Sequence, residues 1–159
     1  MNDMKRTFCV AAALALALVC APQTPSAADQ GAGRPGMLFH DLKAQTETFI
    51  SYYHHISLTP EEAAVRDDAL SPIPAPCCDS YSAATCCCVC NLARSIWGLS
   101  NYLIHEEKYS AEETGAAVIE WLAFTNPTGY SGSACFNGGC GRPFSRDGCG
   151  GMKEGKLVL

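Results

Sequence analysis

Basic residues are scarce in this sequence, and their scarcity excludes one broad class of partner. Lys and Arg together number 11, against 16 Asp and Glu, in a chain of 159 residues. Nucleic-acid phosphates are bound by basic surfaces, and anionic membranes attract polybasic segments. The charge balance therefore predicts that neither nucleic acid nor an anionic membrane surface is a partner.

Long apolar runs are equally scarce. Residues 7–21 form an uncharged run of about 15 residues, shorter than the roughly 20 that cross a bilayer. This run follows Lys5-Arg6 and precedes a polar stretch that ends in Ser26-Ala27-Ala28, the pattern of a cleavable secretory signal. Residues 1–28 are thus predicted to be removed on export to a periplasmic or extracellular location. The exported part, with a net charge of about −6, is predicted to have no membrane span.

The sequence allows two other outcomes at the N-terminus. One is an uncleaved anchor, and the other is a lipoprotein acylated at Cys20. Val19 disfavours the second, because lipoprotein signals have a small residue before the cysteine.

The sequence also lacks the familiar motifs of catalysis and of nucleotide binding. It contains no P-loop, no dinucleotide-binding fingerprint and no local signature of a Ser-His-Asp triad. Cys-x-x-Cys-His is absent too, so covalent haem is not predicted. Paired carboxylates such as Glu61-Glu62 lie at predicted helix ends, where capping and solvation explain them. An enzymatic activity is therefore not the favoured prediction, and the chemistry must come from the cysteines.

Apolar periodicity predicts an all-α fold, a small bundle of three or four helices. Residues 37–56 have helical spacing, and residues 59–70 begin with the capping box Thr59-Pro60-Glu61-Glu62. A third helix is predicted directly after Cys90 and a fourth from Ser110. The predicted organisation is a signal peptide (1–28), a flexible lead-in (29–36), a helical domain with a cysteine cluster (37–125), and a cysteine- and glycine-rich loop and tail (126–159).

Cysteine is abundant where other reactive residues are few. Of the 11 cysteines, Cys9 and Cys20 belong to the predicted signal. Six of the other nine fall within 14 residues, and the last three lie in the tail. In chain order these nine are Cys77, Cys78, Cys86, Cys87, Cys88, Cys90, Cys135, Cys140 and Cys149. An odd number leaves at least one thiol unpaired unless it binds something or pairs between chains.

Structural disulfides are the first explanation of this pattern, because an oxidising compartment lets them persist. Bridges from the cluster to Cys135, Cys140 and Cys149 would staple down a glycine-rich tail that has little else to order it. We therefore expect residues 131–152 to be ordered only through their cysteines. Adjacent cysteines are awkward to bridge, however, since neighbouring Cα atoms are about 3.8 Å apart and disulfides usually span roughly 4.4–6.8 Å.

A thiolate metal site is the second explanation and the one we favour. Dense sulfur donors select Cu(I), zinc or an iron–sulfur cluster over hard cations. The spacing matches neither zinc fingers nor ferredoxins, so copper is ranked first, zinc second and an iron–sulfur cluster lower. The predicted main donors are Cys77, Cys78, Cys86, Cys87, Cys88 and Cys90, with Cys135, Cys140 and Cys149 as further donors or disulfide partners. Nitrogen ligands could come from His40, His54, His55 and His105.

Thiol–disulfide exchange is the third explanation. Within the cluster only Cys87 and Cys90 have Cys-x-x-Cys spacing, and a helix start just after them would lower a thiol pKa. A thiol–disulfide oxidoreductase that uses this pair is therefore the alternative function, and a disulfide-stapled interaction domain is the other.

Two resemblances bear on these alternatives. Pro76-Cys77-Cys78 and Cys88-Val89-Cys90, followed by two helices, make residues 74–124 similar to extracytoplasmic bacterial proteins with a PCYCGC motif, which have no assigned activity. More weakly, the chain resembles the helical thiol oxidoreductase subunit of bacterial cytochrome c maturation. That resemblance implies that Cys87 and Cys90 are the redox pair and that Ser110 starts the next helix.

Overall fold

The computed structural model describes residues 36–159. The predicted signal peptide with Cys9 and Cys20, and the lead-in up to residue 35, lie outside the described residues. The helices and strands, in chain order, are α1 (Leu42–His55), α2 (Pro60–Leu70), β1 (Pro74–Ala75), β2 (Cys78–Ser82), α3 (Asn91–His105) and α4 (Ala111–Thr125). Short 3-10 turns occupy Ala83–Thr85, Gly139–Gly141 and Phe144–Arg146. Among these described helices, none combines the length and the apolar surface needed to cross a membrane.

The four predicted helices are confirmed, but the all-α prediction needs a correction. Strands β1 and β2 form a two-stranded antiparallel sheet in which Pro74 pairs with Ser82 and Ala75 pairs with Cys78. The prolines hold the first strand extended, and the short turn through Pro76 and Cys77 returns the chain along it. The fold is therefore mostly α with one small sheet immediately before the cysteine cluster.

Helix starts follow from local side-chain chemistry. The predicted capping boxes at Thr59 and Ser110 are both present. Helix α1 begins later than predicted because the Asp41 carboxylate accepts a hydrogen bond from the Ala44 N–H at 2.9 Å. Helix α3 has an unusual cap, the thiol sulfur of Cys90.

Two tryptophans link the elements around the core. The Trp121 ring is fully buried, and its Nε1–H donates to the Ser95 hydroxyl at 3.0 Å, which joins α4 to α3. The Trp97 Nε1–H donates to the Ala83 carbonyl at 2.8 Å. This second bond holds the 3-10 turn, and hence the start of the cysteine cluster, against α3.

The tail is held by packing, which corrects the expectation that cysteines alone would order it. The Phe144 ring is fully buried in the main core. The buried Asn91 side chain donates to the carbonyls of Gly150 and Lys153 at 2.9 and 3.1 Å. In addition, the Asn91 N–H donates to the Gly151 carbonyl. The unpaired donors at the start of α3 are thus satisfied by the tail, a contact that the absence of apolar periodicity in the tail did not indicate.

A charged cluster joins α2 to the end of α3 and gives a test by pH. The Glu62 carboxylate lies 3.0 Å from His105 Nδ1 and 3.3 Å from Lys108 Nζ. The hydrogen bond with His105, then that with the Thr59 backbone, lowers the pKa of Glu62 to about 2. A carboxylate whose pKa is lowered by folding contributes stability above its unfolded pKa and loses that contribution as the pH falls through its folded pKa.

We therefore expect Glu62→Gln to reduce stability at neutral pH, with the deficit shrinking as the pH falls from about 5 to about 2. Thermal unfolding followed by circular dichroism across this range measures it. The control is Glu61→Gln, at an exposed neighbouring position. The difference in stability between this variant and wild type should not shrink as the pH falls. A deficit of constant size across the range would contradict the assigned role of the carboxylate charge.

Candidate metal centre

All nine described cysteines are free thiols. Three of them have sulfurs close to one another, and of these three Cys87 is exposed while Cys88 and Cys135 are half-buried. This group, named here the outer cluster, consists of Cys87, Cys88 and Cys135. Their sulfurs are 3.6 Å apart for Cys87–Cys88, and 3.9 Å apart for both Cys87–Cys135 and Cys88–Cys135.

A backbone bend brings two adjacent cysteines to one point. The chain bends at Cys87 and Cys88, whereas successive side chains of an extended strand would point to opposite faces. The third sulfur arrives from the tail. The Cys135 N–H donates to the Cys77 carbonyl at 2.8 Å, and the Asp79 N–H donates to the Gly132 carbonyl at 2.8 Å. These two bonds dock the turn that carries Cys135 against the sheet segment.

The dimensions of the outer cluster match thiolate coordination. A tetrahedral ion with zinc–sulfur bonds of about 2.3 Å has sulfurs about 3.8 Å apart, close to the three measured separations. An ion in the plane of the three sulfurs would lie about 2.2 Å from each, which also suits three-coordinate binding. No backbone rearrangement is needed for either geometry.

Loss of hydration and neighbouring thiols keep Cys87 and Cys88 protonated in the metal-free protein. Loss of hydration, together with the Cys135 thiol, raises the pKa of Cys88 to about 11, although the Cys87 thiol has an opposing effect. Loss of hydration and the thiols of Cys88 and Cys135 also raise the pKa of Cys87 above its ordinary value. A bound cation would supply the positive charge that the thiolates lack, and binding would release their protons.

The remaining predicted donors lie away from the outer cluster. Cys78 is buried beside Cys77 and Ala134. Cys86 contacts Cys77, with sulfurs 4.0 Å apart. Cys90 is buried, and its sulfur accepts a hydrogen bond from the Ala93 N–H at the start of α3. Cys140 is half-buried and makes a small contribution to the raised pKa of Cys88. The structure thus brings together two of the six predicted main donors and one cysteine that was predicted only as a further donor or disulfide partner.

The Cys87–Cys90 pair has surroundings unlike those of an active redox pair. Cys87 is exposed and contacts Cys88 and Cys135, whereas Cys90 is buried. The thiol of Cys149, with burial, raises the pKa of Cys90 to about 12 despite an opposing contribution from Cys77. Reactive cysteines have lowered pKa values because the thiolate is the nucleophile. The pKa values of Cys87 and Cys90 are both raised, so their thiolate forms are disfavoured in this structure.

The four histidines have partners elsewhere in the described part of the chain. His54 pairs with Glu154 at 2.9 Å, and His105 pairs with Glu62. His55 contacts Ser51, and His40 contacts the Leu38 carbonyl. The group of potential ligands assembled at Cys87, Cys88 and Cys135 therefore consists of sulfur alone.

Comparison with models of known protein families, with curated proteins and with solved structures found no match to this chain. The interpretation of the site accordingly depends on its own geometry and chemistry.

Proposed function

We propose that this protein binds a soft metal ion, Cu(I) in the first place and zinc in the second, through the thiolates of Cys87, Cys88 and Cys135. The observation that carries the proposal is the triangle of sulfurs with sides of 3.6, 3.9 and 3.9 Å. Three sulfurs and no oxygen ligand favour a soft cation over magnesium or calcium.

Copper is ranked above zinc because of the number of ligands. Cu(I) is stable with three sulfurs, whereas zinc sites in proteins are almost always four-coordinate. A zinc ion would need a fourth ligand from water or from another molecule, because the group of potential ligand atoms within 4.8 Å of one another in the described residues has three members. The exposure of Cys87 leaves one side of the triangle open, so a thiol of another molecule could deliver or remove the ion by ligand exchange.

We also propose that this binding takes place outside the cytoplasm, on the basis of the charged start, the apolar run and Ser26-Ala27-Ala28. A coordinated thiolate is less available for oxidation, which would explain free thiols in an oxidising compartment. Sequencing the N-terminus of the exported protein should give a start at or near Asp29. An intact Met1 on a membrane-embedded protein would contradict the export proposal and leave the metal proposal standing.

The metal site is tested by replacing all three sulfurs. The variant Cys87→Ser/Cys88→Ser/Cys135→Ser should lose about one equivalent of Cu(I) per chain relative to wild type, because sulfur is replaced by a hard, weakly ligating hydroxyl. Anaerobic Cu(I) titration with elemental analysis measures this, and X-ray absorption should show sulfur neighbours at about 2.2–2.3 Å.

The matched control is Cys78→Ser, which removes a thiol from the same segment but not from the triangle. This control should keep the full metal content, with folding of both variants verified by circular dichroism. Equal Cu(I) content in the triple variant and in wild type would refute the proposed site.

A further inference from the structure

The outer cluster offers three sulfurs and one open side, and this combination restricts which ligands fit. Its members are the one group of potential ligands within 4.8 Å of one another in the described residues. Cys87 is exposed, whereas Cys88 and Cys135 are half-buried. A ligand that completes its bonding with three sulfurs needs no fourth protein atom. Trivalent arsenic is such a ligand, because it forms three bonds and a lone pair of electrons takes the fourth position.

The shape of the sulfur triangle suits a pyramid with arsenic at its apex. The sides measure 3.6, 3.9 and 3.9 Å, close to the separation of about 3.8 Å around a tetrahedral ion with bonds of about 2.3 Å. A lone pair compresses the bond angles below the tetrahedral value, so the three sulfurs would move slightly closer together. Rotation of the Cys87 side chain can provide this adjustment, because that side chain is exposed.

The surroundings of the sulfurs favour a ligand that binds without adding charge. In the described residues the hydrogen-bond partners of these three sulfurs are one another's thiols, and no Lys or Arg is among them. The whole chain is acidic, with a net charge of −5. Three thiolates around Cu(I) would carry two negative charges, whereas three thiolates around As(III) form a neutral complex. A neutral complex needs no nearby cation to offset it.

We propose that the outer cluster also binds arsenite, as a complex of As(III) with the sulfurs of Cys87, Cys88 and Cys135. At neutral pH arsenite is the uncharged trihydroxide, and free thiols are mostly protonated. On binding, three S–H bonds and three As–O bonds break, while three As–S bonds and three O–H bonds form. Three molecules of water leave, and arsenic stays trivalent. This inference rests on the three-sulfur site of the proposed function but not on the preference of that site for Cu(I).

Anaerobic titration of the purified, reduced protein with sodium arsenite tests the proposal. Wild type should bind about one equivalent of arsenic, and native mass spectrometry should show one arsenic atom in place of three hydrogens. The variant Cys87→Ser/Cys88→Ser/Cys135→Ser should lose this adduct, and the matched control Cys78→Ser should keep it. Circular dichroism verifies that both variants are folded. Retention of the adduct by the folded triple variant, or its absence from wild type, would overturn the proposal.

Phenylarsine oxide counts the sulfurs more sharply, because its arsenic already carries a phenyl group and can form only two bonds to sulfur. Cys135→Ser leaves Cys87 and Cys88, whose sulfurs are 3.6 Å apart. This variant should therefore bind more phenylarsine oxide than the triple variant does, and yet lose the three-hydrogen arsenite adduct. Equal arsenite binding by Cys135→Ser and wild type would mean that the tail sulfur is not a ligand, and the three-sulfur complex would be wrong.

Parallel titrations with Cu(I) separate this inference from the proposed function. If both are correct, the triple variant loses both ligands. Arsenite binding without Cu(I) binding in wild type would support the present inference and contradict the choice of copper. Cu(I) binding at the triangle without arsenite binding would overturn the present inference and leave the proposed function standing.

Discussion

Gly98→Ala should strongly destabilise this protein. Gly98 lies within α3 where that helix crosses α1, and a Cβ there would overlap the backbone carbonyl oxygen of Phe49. The same Cβ would lie 2.7 Å from the Phe49 carbonyl carbon and 2.8 Å from the Tyr53 nitrogen. Backbone atoms of a packed helix cannot rotate aside as a side chain can, so the two helices would have to separate.

The expected cost is more than about 3 kcal/mol of unfolding free energy, at or above the usual range for overpacking. Helix propensity alone predicts the opposite sign, since Ala stabilises a helix interior by about 1 kcal/mol relative to Gly. Denaturant unfolding followed by circular dichroism therefore decides which effect dominates.

The matched control is Gly115→Ala, in the interior of α4. A Cβ at that position would approach only the Ala69 carbonyl oxygen, at 3.2 Å, a contact that small shifts can relieve. We expect its stability to stay within about 1 kcal/mol of wild type, because the gain in helix propensity offsets the crowding. Equal stability of the two variants would mean that α1 and α3 are not packed backbone to backbone.

Phe144→Ala should release the tail from the core. The ring is fully buried, and deleting a buried phenylalanine costs about 3–5 kcal/mol. Since the tail supplies Cys135 to the outer cluster and places the buried Cys149 beside the start of α3, the loss should reach these thiols without altering them. We expect both a lower unfolding free energy and faster proteolysis within residues 131–152.

The matched control is Phe136→Ala, on the same tail and directly after Cys135. Phe136 is 75% exposed, so its removal should change stability by no more than about 0.5 kcal/mol. Limited proteolysis and Cu(I) titration of both variants distinguish loss of packing from loss of a contact near the sulfurs. If Phe144→Ala kept the protease resistance of wild type, the hydrogen bonds of Asn91 would be sufficient to hold the tail.

The elements that could be predicted are those whose cause is local. Helices α2 and α4 were recognisable from capping boxes, in which a Thr or Ser and a Glu three residues later satisfy each other's backbone groups. The abundance of sulfur in residues 77–90 was equally visible, and it restricted the candidate chemistry to thiols. The small sheet was missed because a two-residue strand of Pro74 and Ala75 has no periodicity to detect.

The sequence predicted that the candidate site consists of thiols, but it did not predict which cysteines form it. Spacing along the chain favoured Cys87 and Cys90 as partners, yet the bend at Cys87 and Cys88 directs these two sulfurs to one point. Cys90 instead turns inward, where its sulfur caps α3. The spacing of cysteines along the chain does not predict where their side chains point, because that depends on backbone angles within a segment that has no regular structure.

The sequence by itself determined the helical elements, the acidic character and the concentration of thiols, since these depend on composition and on neighbours within a few residues. Only the tertiary structure decided which sulfurs meet. Cys135 reaches the outer cluster across 47 residues because Phe144 fills the core and the start of α3 lacks backbone partners that the tail provides. These contacts gain their energy from burial and from satisfied donors between distant segments, and no local pattern encodes that pairing.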